Sequence, residues 1–197
     1  MRAIAEPLPP NAPRMRTGVS RHLGAAWLRA TGWRLVGRFP DVPKAVVIVA
    51  PHSSNLDGFH GLAMKQYIGL DVHFLAKRQL FWWPLGAMLR SFGAIPIDRG
   101  AAGDMVRQAV AQFRTHDRFW LGIAPEGTRK PVARWKNGFW RIARAADVPI
   151  IPAWFHYPER TIGIGPPLHP GADMDADIAT LRALYRPWRG AGGKSAV

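Results

Sequence analysis

The sequence contains no cysteine, few acidic residues and no long hydrophobic run. Without cysteine there is no disulfide framework, no thiolate nucleophile and no thiolate metal site, which is compatible with a reducing, cytosolic location. The N-terminal stretch MRAIAEPLPPNAPRMR lacks the apolar core of a signal peptide. No run reaches the ~18 apolar residues of a membrane-spanning helix, so we expect the chain not to span a bilayer. It can still lie on the surface of one.

The charge of the chain is strongly one-sided. Lys and Arg number 27 against 13 Asp and Glu, which gives a formal net charge of +14. Such an excess favours an anionic partner: a nucleic acid, an acidic membrane surface or a phosphorylated small molecule. The nine Trp and nine Phe suit a membrane–water interface, but aromatic rings beside Arg suit single-stranded nucleic acid as well. Composition therefore leaves the partner open.

Strand and helix patterns alternate along the chain. Short buried strands are predicted at five apolar runs, residues 45–50, 73–76, 93–97, 119–124 and 149–154. Helical patterns lie between them, one after Asp104 and one after Asn137, both of which we predict as N-caps. We also predict an edge strand at 161–165 and a last helix at 176–188. The alternation predicts an α/β fold, a single domain whose mostly parallel central sheet is flanked by helices.

The two ends of the chain differ from the middle. Residues 1–17 contain four prolines and are predicted to be a flexible lead, 18–188 the folded domain, and the glycine-rich 189–197 a flexible tail. An N-terminal amphipathic helix is predicted between Val19 and Trp33, because apolar side chains there share one helical face. That face consists of Val19, Leu23, Ala26, Trp27, Ala30 and Trp33. It either packs on the core of the domain or lies on a membrane.

Polar clusters follow three of the predicted strands directly. His52 and Asp57 follow the first strand, Asp98 and Arg99 follow the third, and PEGTRK (125–130) follows the fourth. In open α/β sheets, reactive groups gather where strands end and loops begin. We therefore expect the three clusters to converge on one edge of the sheet.

The five-residue spacing of His52 and Asp57 restricts how they can meet. A continuous helix would leave their side chains ~140° apart, and a strand would place them on opposite faces. They can cooperate only if the SSNL stretch (53–56), which is typical of turns and caps, leads into a helix. A histidine held by an aspartate is the usual arrangement of a general base. With no cysteine and no GxSxG motif, the base would activate a hydroxyl that belongs to the substrate.

Basic residues near these clusters suit an anionic substrate. Arg99 and Arg129 could clamp a phosphate, because a guanidinium group matches phosphate oxygens. Residues 129–144 contain six Lys or Arg and no acid, which indicates either an anion-attracting surface or a solvated basic face.

The order of these motifs resembles that of the glycerophospholipid acyltransferase family. The matching blocks are HSSNLD (52–57, the HX4D motif), GAIPIDR (93–99), PEGTR (125–129) with KNG (136–138), and VPIIPA (148–153). The resemblance covers roughly residues 45 to 155, in the order and spacing of the family. It implies that the folded domain is an acyltransferase domain.

The resemblance implies an O-acyltransferase of the 1-acylglycerol-3-phosphate type, acting in phospholipid biosynthesis. A fatty acyl group would pass from acyl-CoA or an acyl carrier protein thioester to a hydroxyl of lysophosphatidate or a related lysophospholipid. His52 is implied as the general base and Asp57 as its orienting partner. Binding of the acceptor is implied for Arg99, Glu126, Gly127, Thr128 and Arg129. No metal or resident cofactor and no specific nucleic acid is expected, and the enzyme would lie peripherally on the cytoplasmic face of the membrane.

Three alternatives remain open at this stage. His52, Asp57 and His60 could be ligands of a metal-dependent hydrolase, since two histidines and a carboxylate suffice for such a site. A non-catalytic protein that binds anionic lipid or nucleic acid would also explain the charge and the aromatic residues. The aromatic segment 77–93 is either a core helix or a surface that faces a membrane or an acyl chain.

Overall fold

A seven-stranded sheet carries six α-helices in the computed structural model, which describes residues 8–98, 102–128 and 132–197. The strands are β1 (Arg34–Gly37), β2 (Lys44–Val49), β3 (Val72–Lys77), β4 (Ala94–Ile97), β5 (Phe119–Ile123), β6 (Ile150–His156) and β7 (Thr161–Ile164). The helices are α1 (Val19–Thr31), α2 (Leu56–Ile68), α3 (Leu85–Ser91), α4 (Ala102–Thr115), α5 (Gly138–Ala146) and α6 (Met174–Tyr185). Short 3₁₀ turns occupy Arg78–Leu80 and Ala191–Gly193.

The strands are ordered β1-β7-β6-β2-β5-β3-β4. Every neighbouring pair is parallel except β6 and β7, which are antiparallel. The predicted α/β class with a mostly parallel sheet is therefore confirmed. Because β6, β2 and β5 are adjacent and parallel, the loops after all three open at the same edge of the sheet.

Apolar clusters cover both faces of the sheet. Side chains alternate along β2, so that Val46 and Ile48 enter one cluster while Ala45 and Val47 enter the other. The first cluster receives buried residues from α4, α5 and α6, and the second from α1 and α2. A strand that is covered on both faces reads as a continuous apolar run, which explains the clear signal of β2 in the sequence.

The predicted helix at Val19–Trp33 is present, and most of its apolar face does not pack on the core, which was one of its two interpretations. It ends at Thr31, because Gly32 adopts a left-handed conformation with φ of 73°. The buried residues are Gly24 and Leu28, whereas most of the predicted apolar face is exposed. Gly24 lies so close to α2 that a Cβ atom would be 2.5 Å from the carbonyl oxygen of Ala63. The helix packs on the domain through Gly24 and Leu28, while most of the predicted apolar face is left outside this contact.

Three further details correct the predictions. The strand at 161–165 is present as β7, but it is not at the edge, because the short strand β1, which the sequence patterns missed, pairs outside it. Asp104 lies inside the first turn of α4 and pairs with Arg107, so it is not an N-cap. The last helix starts earlier than 176, since Asp173 caps it by accepting from the amides of Asp175 and Ala176.

The aromatic segment 77–93 lies mostly at the surface. It forms a 3₁₀ turn followed by α3. The turn has no buried residue, and Gly86 is the single buried residue of α3. Trp82 and Trp83 are exposed, so the interpretation as a core helix is wrong. None of the helices in the described ranges is both long enough and apolar enough to cross a bilayer.

Segments at both ends of the described chain make defined contacts. Leu8 and Ala12 are buried, and the amide of Met15 donates to the carbonyl of Gly69 at 3.0 Å. At the other end Ala196 is buried, and its carbonyl accepts from the indole N–H of Trp135 at 2.8 Å. The predicted domain boundaries, with a flexible lead and tail, stay predictions.

Candidate active site

The edge of the sheet beyond β6, β2 and β5 gathers the polar side chains that follow these strands. His52 lies in the loop after β2, Glu126 in the loop after β5, and Tyr157 directly after β6. Asp57 is the second residue of α2, which starts at the end of the loop after β2. The turn into a helix, predicted from the spacing of His52 and Asp57, is present.

His52 and Asp57 are in direct contact. The Nδ1 atom of His52 lies 3.2 Å from Oδ2 of Asp57. The aspartate side chain has no exposed surface, whereas the histidine side chain is 29% exposed. The carboxylate is therefore inside the protein while part of the imidazole remains accessible to a substrate.

Asp57 accepts hydrogen bonds on both carboxylate oxygens. Oδ2 accepts from the backbone amides of Ser53 at 2.7 Å and Ser54 at 2.9 Å. Oδ1 accepts from the hydroxyl of Tyr157 at 2.5 Å. Burial alone would raise the pKa of Asp57, but hydrogen bonds from His52, Tyr157 and the two amides outweigh it and lower the pKa below its usual value. Asp57 is thus an ionised carboxylate held in one orientation.

Glu126 supports the backbone of the His52 loop. Its Oε2 accepts from the amide of His52 at 2.8 Å, and the residue is buried. Burial raises the pKa of Glu126, and the hydrogen bond from the His52 amide only partly opposes this. The Glu126 carboxylate, which was predicted to bind the acceptor, therefore accepts a hydrogen bond from the loop that carries His52.

The remaining residues predicted to bind the acceptor follow Glu126 or lie outside the described residues. Gly127 has a φ of 63°, a left-handed backbone conformation that favours glycine, and a Cβ atom there would lie 2.9 Å from the flexible Lys136 side chain. Thr128 is exposed. Arg99 and Arg129 both lie outside the described residues.

His60 is packed among aromatic rings. Its Nδ1 accepts from the indole N–H of Trp27 at 3.1 Å, and its ring lies 4.4 Å from that of Trp33 between centroids. Burial lowers its pKa, against the opposing effect of Asp57. Within the part of the chain that the structure describes, no three His, Asp or Glu residues are arranged to hold a metal ion. The ligand set of the hydrolase alternative is therefore not assembled there.

The C-terminal segment, residues 189–197, contacts the same loop. The amide of Ala191 donates to Ser53 Oγ at 2.8 Å, and a Cβ atom on Gly190 would lie 2.3 Å from that oxygen. The carbonyl of Arg189 accepts from the amide of Tyr157 at 2.9 Å. The C-terminal segment therefore contacts two loops of the site, the loop after β2 and the loop after β6.

Tyr157 and the C-terminal contacts were missed by sequence reasoning. A signal for Tyr157 did exist, since it follows a predicted buried strand in the same way as His52 and Glu126 do. No comparable signal exists for Ser53 and Ala191, which are 138 residues apart.

The fold and the site together define an α/β enzyme with a histidine–aspartate pair at the carboxyl edge of a parallel sheet. A family model described as Acyltransferase matches residues 37–156, more than half of the chain, and the protein belongs to this acyltransferase family. The predicted family and enzyme class are thereby confirmed.

One solved structure supports the same fold. It is the crystal structure of the 1-acyl-sn-glycerophosphate (LPA) acyltransferase PlsC from Thermotoga maritima. The TM-score is 0.58 at 16% sequence identity, over 87% of this chain and 80% of that chain. No curated protein gives a significant match.

Proposed function

We propose that the protein transfers a fatty acyl group from an acyl thioester to a hydroxyl of lysophosphatidate or a related lysophospholipid, as a step of phospholipid biosynthesis. The observation that carries this proposal is the 3.2 Å contact between His52 Nδ1 and the buried carboxylate of Asp57. The imidazole of His52 is itself partly exposed, so a substrate can reach it. Membership of the acyltransferase family supports the reaction class. The name of the Thermotoga maritima enzyme supports the acceptor class.

The proposed reaction uses His52 as a general base. Asp57 accepts from Nδ1–H, which leaves the lone pair of Nε2 available to the substrate. Nε2 takes the proton of the acceptor hydroxyl while the oxygen attacks the thioester carbonyl carbon. A C–O bond forms, the C–S bond breaks, and the departing sulfur takes the proton from the imidazolium. The thioester, acyl-CoA or acyl carrier protein, is a co-substrate, and we propose no resident cofactor or metal.

The headgroup of the acceptor is proposed to lie beside the loops after β4 and β5. Arg99 and Arg129 would bind its phosphate through their guanidinium groups, together with Gly127 and Thr128. We assign Glu126 a different role, because its carboxylate already accepts from the His52 amide and would repel a phosphate. Its proposed role is to hold the loop that carries His52.

A peripheral position on the cytoplasmic face of a membrane is part of the proposal. An exposed apolar surface, which we name the α1–α2 surface, consists of Val19, Leu23, Trp27, Leu56 and Phe59. Rings of Trp27 and Phe59 lie 6.2 Å apart between centroids, so the two helices share this surface. It reaches Asp57, because Leu56 precedes that residue in α2. A lipid acceptor could therefore reach the site from a membrane that contacts these helices.

Thiol release from defined thioesters tests the reaction. Acyl-CoA and acyl carrier protein thioesters are each offered with lysophosphatidate, with other lysophospholipids and with no acceptor. We expect release that depends on the acceptor in the wild-type protein. The His52→Ala variant should lose this release, while His169→Ala, in which an exposed histidine is removed, should retain it.

Each outcome distinguishes a different part of the proposal. Release that persists in His52→Ala would exclude His52 as the base. Release without an acceptor would indicate thioester hydrolysis. Faster thiol release with lysophosphatidate than with lysophospholipids that carry no net charge would support an acceptor site that binds phosphate.

A further inference from the structure

Tyr157 is held in place before its hydroxyl makes any contact. Its amide donates to the carbonyl of Arg189 at 2.9 Å. Its ring packs edge-on against Trp33 and His60, with centroid distances of 5.0 and 6.3 Å. The backbone and the ring are therefore fixed independently of the hydroxyl group, which makes the position of that group well defined.

The hydroxyl of Tyr157 donates a hydrogen bond to Oδ1 of Asp57, the carboxylate oxygen that does not contact His52. Oδ2 accepts from the amides of Ser53 and Ser54 and lies next to His52 Nδ1. Oδ1 accepts from Tyr157. The Asp57 side chain has no exposed surface, so this oxygen has no contact with solvent while the phenol is in place. A buried charged oxygen without a donor is strongly unfavourable.

The donors at the two oxygens together fix the rotation of the Asp57 carboxylate about its last side-chain torsion. The last torsion of an aspartate side chain is soft, since its energy wells are broad. Donors at both oxygens remove this freedom, with amides at Oδ2 and the phenol at Oδ1. Without the phenol, only the donors at Oδ2 restrict this rotation, and the contact of Oδ2 with Nδ1 of His52 is less firmly fixed.

The direction of the hydrogen bond is fixed. Burial, and after it the hydrogen bond to Asp57, raise the pKa of Tyr157 well above its ordinary value. The phenol therefore keeps its proton at any pH at which the protein works. Asp57 remains the acceptor, because its own pKa is lowered.

We propose that Tyr157 is a positioning residue for acyl transfer, whose hydroxyl fixes the Asp57 carboxylate in the orientation that holds the Nδ1–H tautomer of His52. Tyr157 acts through Asp57 and does not touch the substrate. The proposal rests on the proposed function, in which His52 is the general base. It assigns to the residue after β6 a task that none of the sequence motifs covers.

The Tyr157→Phe variant tests the proposal, because it keeps the ring that packs on Trp33 and His60 and removes only the hydroxyl. We expect kcat to fall about 10- to 100-fold, the range for losing one hydrogen bond to a charged group. KM for the thioester and for the acceptor should change by less than about threefold, since no substrate contact is removed. Tyr67→Phe, on α2, is the matched control and should retain the wild-type kcat.

A spectroscopic measurement separates positioning from a general loss of structure. In protein labelled with ¹⁵N in its histidine rings, the two ring nitrogens of His52 report which one carries the proton. We expect the Nδ1–H tautomer in the wild-type protein and in Tyr67→Phe. In Tyr157→Phe a mixture of both tautomers should appear, while the signals of exposed His169 stay unchanged.

A double-mutant cycle with Asp57→Asn shows whether Tyr157 acts through Asp57. In the Asp57→Asn background, the additional Tyr157→Phe change should lower kcat by less than about twofold, because the carboxylate it orients is already absent. An equal loss in both backgrounds would assign the effect to general structure and overturn the proposal.

The failure of this inference and that of the proposed function are distinguishable. If His52→Ala is inactive while Tyr157→Phe has the wild-type kcat and tautomer, the role of Tyr157 is wrong and the base is retained. If His52→Ala is active, the proposed base is wrong. The tautomer measurement then still decides whether Tyr157 orients the His–Asp pair.

Discussion

Asp57 and Glu126 are both buried beside His52, yet the pKa of Asp57 lies below its ordinary value and that of Glu126 above it. Burial raises both values, but Asp57 accepts from His52, Tyr157 and two amides, whereas Glu126 accepts from a single amide. The number of donors therefore explains why the pKa values of the two carboxyl groups shift in opposite directions. Asp57, whose ionised form is stabilised most strongly, lies next to the imidazole ring that would become positively charged during the proposed proton transfer.

We expect Glu126→Gln to flatten the pH dependence of stability. Because the pKa of Glu126 is raised in the native state above the ~4.3 of an unfolded chain, the native state holds this proton more tightly. Its contribution to stability is therefore present at low pH and is lost as the pH rises through the native pKa. The variant lacks this titration, and its amide oxygen can still accept from His52. Urea unfolding between about pH 4 and 8 measures the difference.

The control for this experiment is Glu159→Gln, which removes a carboxylate that is largely exposed. Its stability should follow the wild-type pH dependence closely. At pH 7 the Glu126→Gln protein should be at least as stable as the wild type. A loss of more than about 1 kcal/mol at that pH would mean that the charged hydrogen bond outweighs the cost of burial.

At the scale of elements, the C-terminal segment is in direct contact with the loop that carries His52. Ser53 donates its amide to Asp57 and accepts from the amide of Ala191 through its hydroxyl oxygen. The segment and the carboxylate therefore hold the same residue from two sides. A displacement of the segment is transmitted to Asp57 through one residue.

Gly190→Ala should lower activity by displacing this loop. The backbone of Gly190 is compatible with alanine, with φ of -78°, but the added Cβ would lie 2.3 Å from Ser53 Oγ. Since a shift of ~1 Å at a catalytic group can cost on the order of 100-fold, we expect kcat to fall by at least about tenfold. The thiol-release assay measures this change, together with a thermal unfolding curve.

Gly103→Ala is the matched control, because a Cβ atom there meets nothing within 4 Å and the residue lies in α4. It should retain full activity. An unchanged kcat in Gly190→Ala would show that the loop accommodates the methyl group, and that the C-terminal segment does not set the geometry of the site.

For the whole molecule, charge and exposed apolar area act together. The net charge is +14, and the α1–α2 surface lies on the face of the sheet that carries α1 and α2. We expect the protein to bind vesicles that contain anionic phospholipid more tightly than neutral vesicles, and to be released by salt. The Val19→Ser, Leu23→Ser double variant should bind more weakly, since it removes two exposed apolar side chains. Co-sedimentation with vesicles measures the bound fraction.

Leu184→Ser is the control, because this exposed leucine lies on α6, which packs on the opposite face of the sheet. Its binding should equal that of the wild type. If Leu184→Ser weakened binding as much as the double variant, the membrane would contact a different face from the one proposed.

The sequence predicted the parts of the fold that leave a periodic signal. The buried strand β2 is a continuous apolar run, and the polar residues after it and after β5 belong to the site. The four-residue strand β1 was missed because it is too short to show a pattern. Of the two interpretations of the apolar face of α1, packing on the core is wrong for most of the face, and the sequence could not show this because Gly24, which makes the close contact with α2, carries no hydrophobic signal. Partners distant along the chain, such as Ser53 and Ala191, leave no local pattern at all.

The contact of Ser53 with Ala191 has a consequence for synthesis of the protein on the ribosome. The two residues are 138 positions apart along the chain. At the usual rate of protein synthesis, Ala191 is therefore added on the order of ten seconds after Ser53. Tyr157, which holds Asp57, is likewise made long after the loop it completes. We therefore expect a nascent chain to lack an ordered His–Asp pair. The proposed acyl transfer would then become possible only after residues 189–191 have left the ribosome.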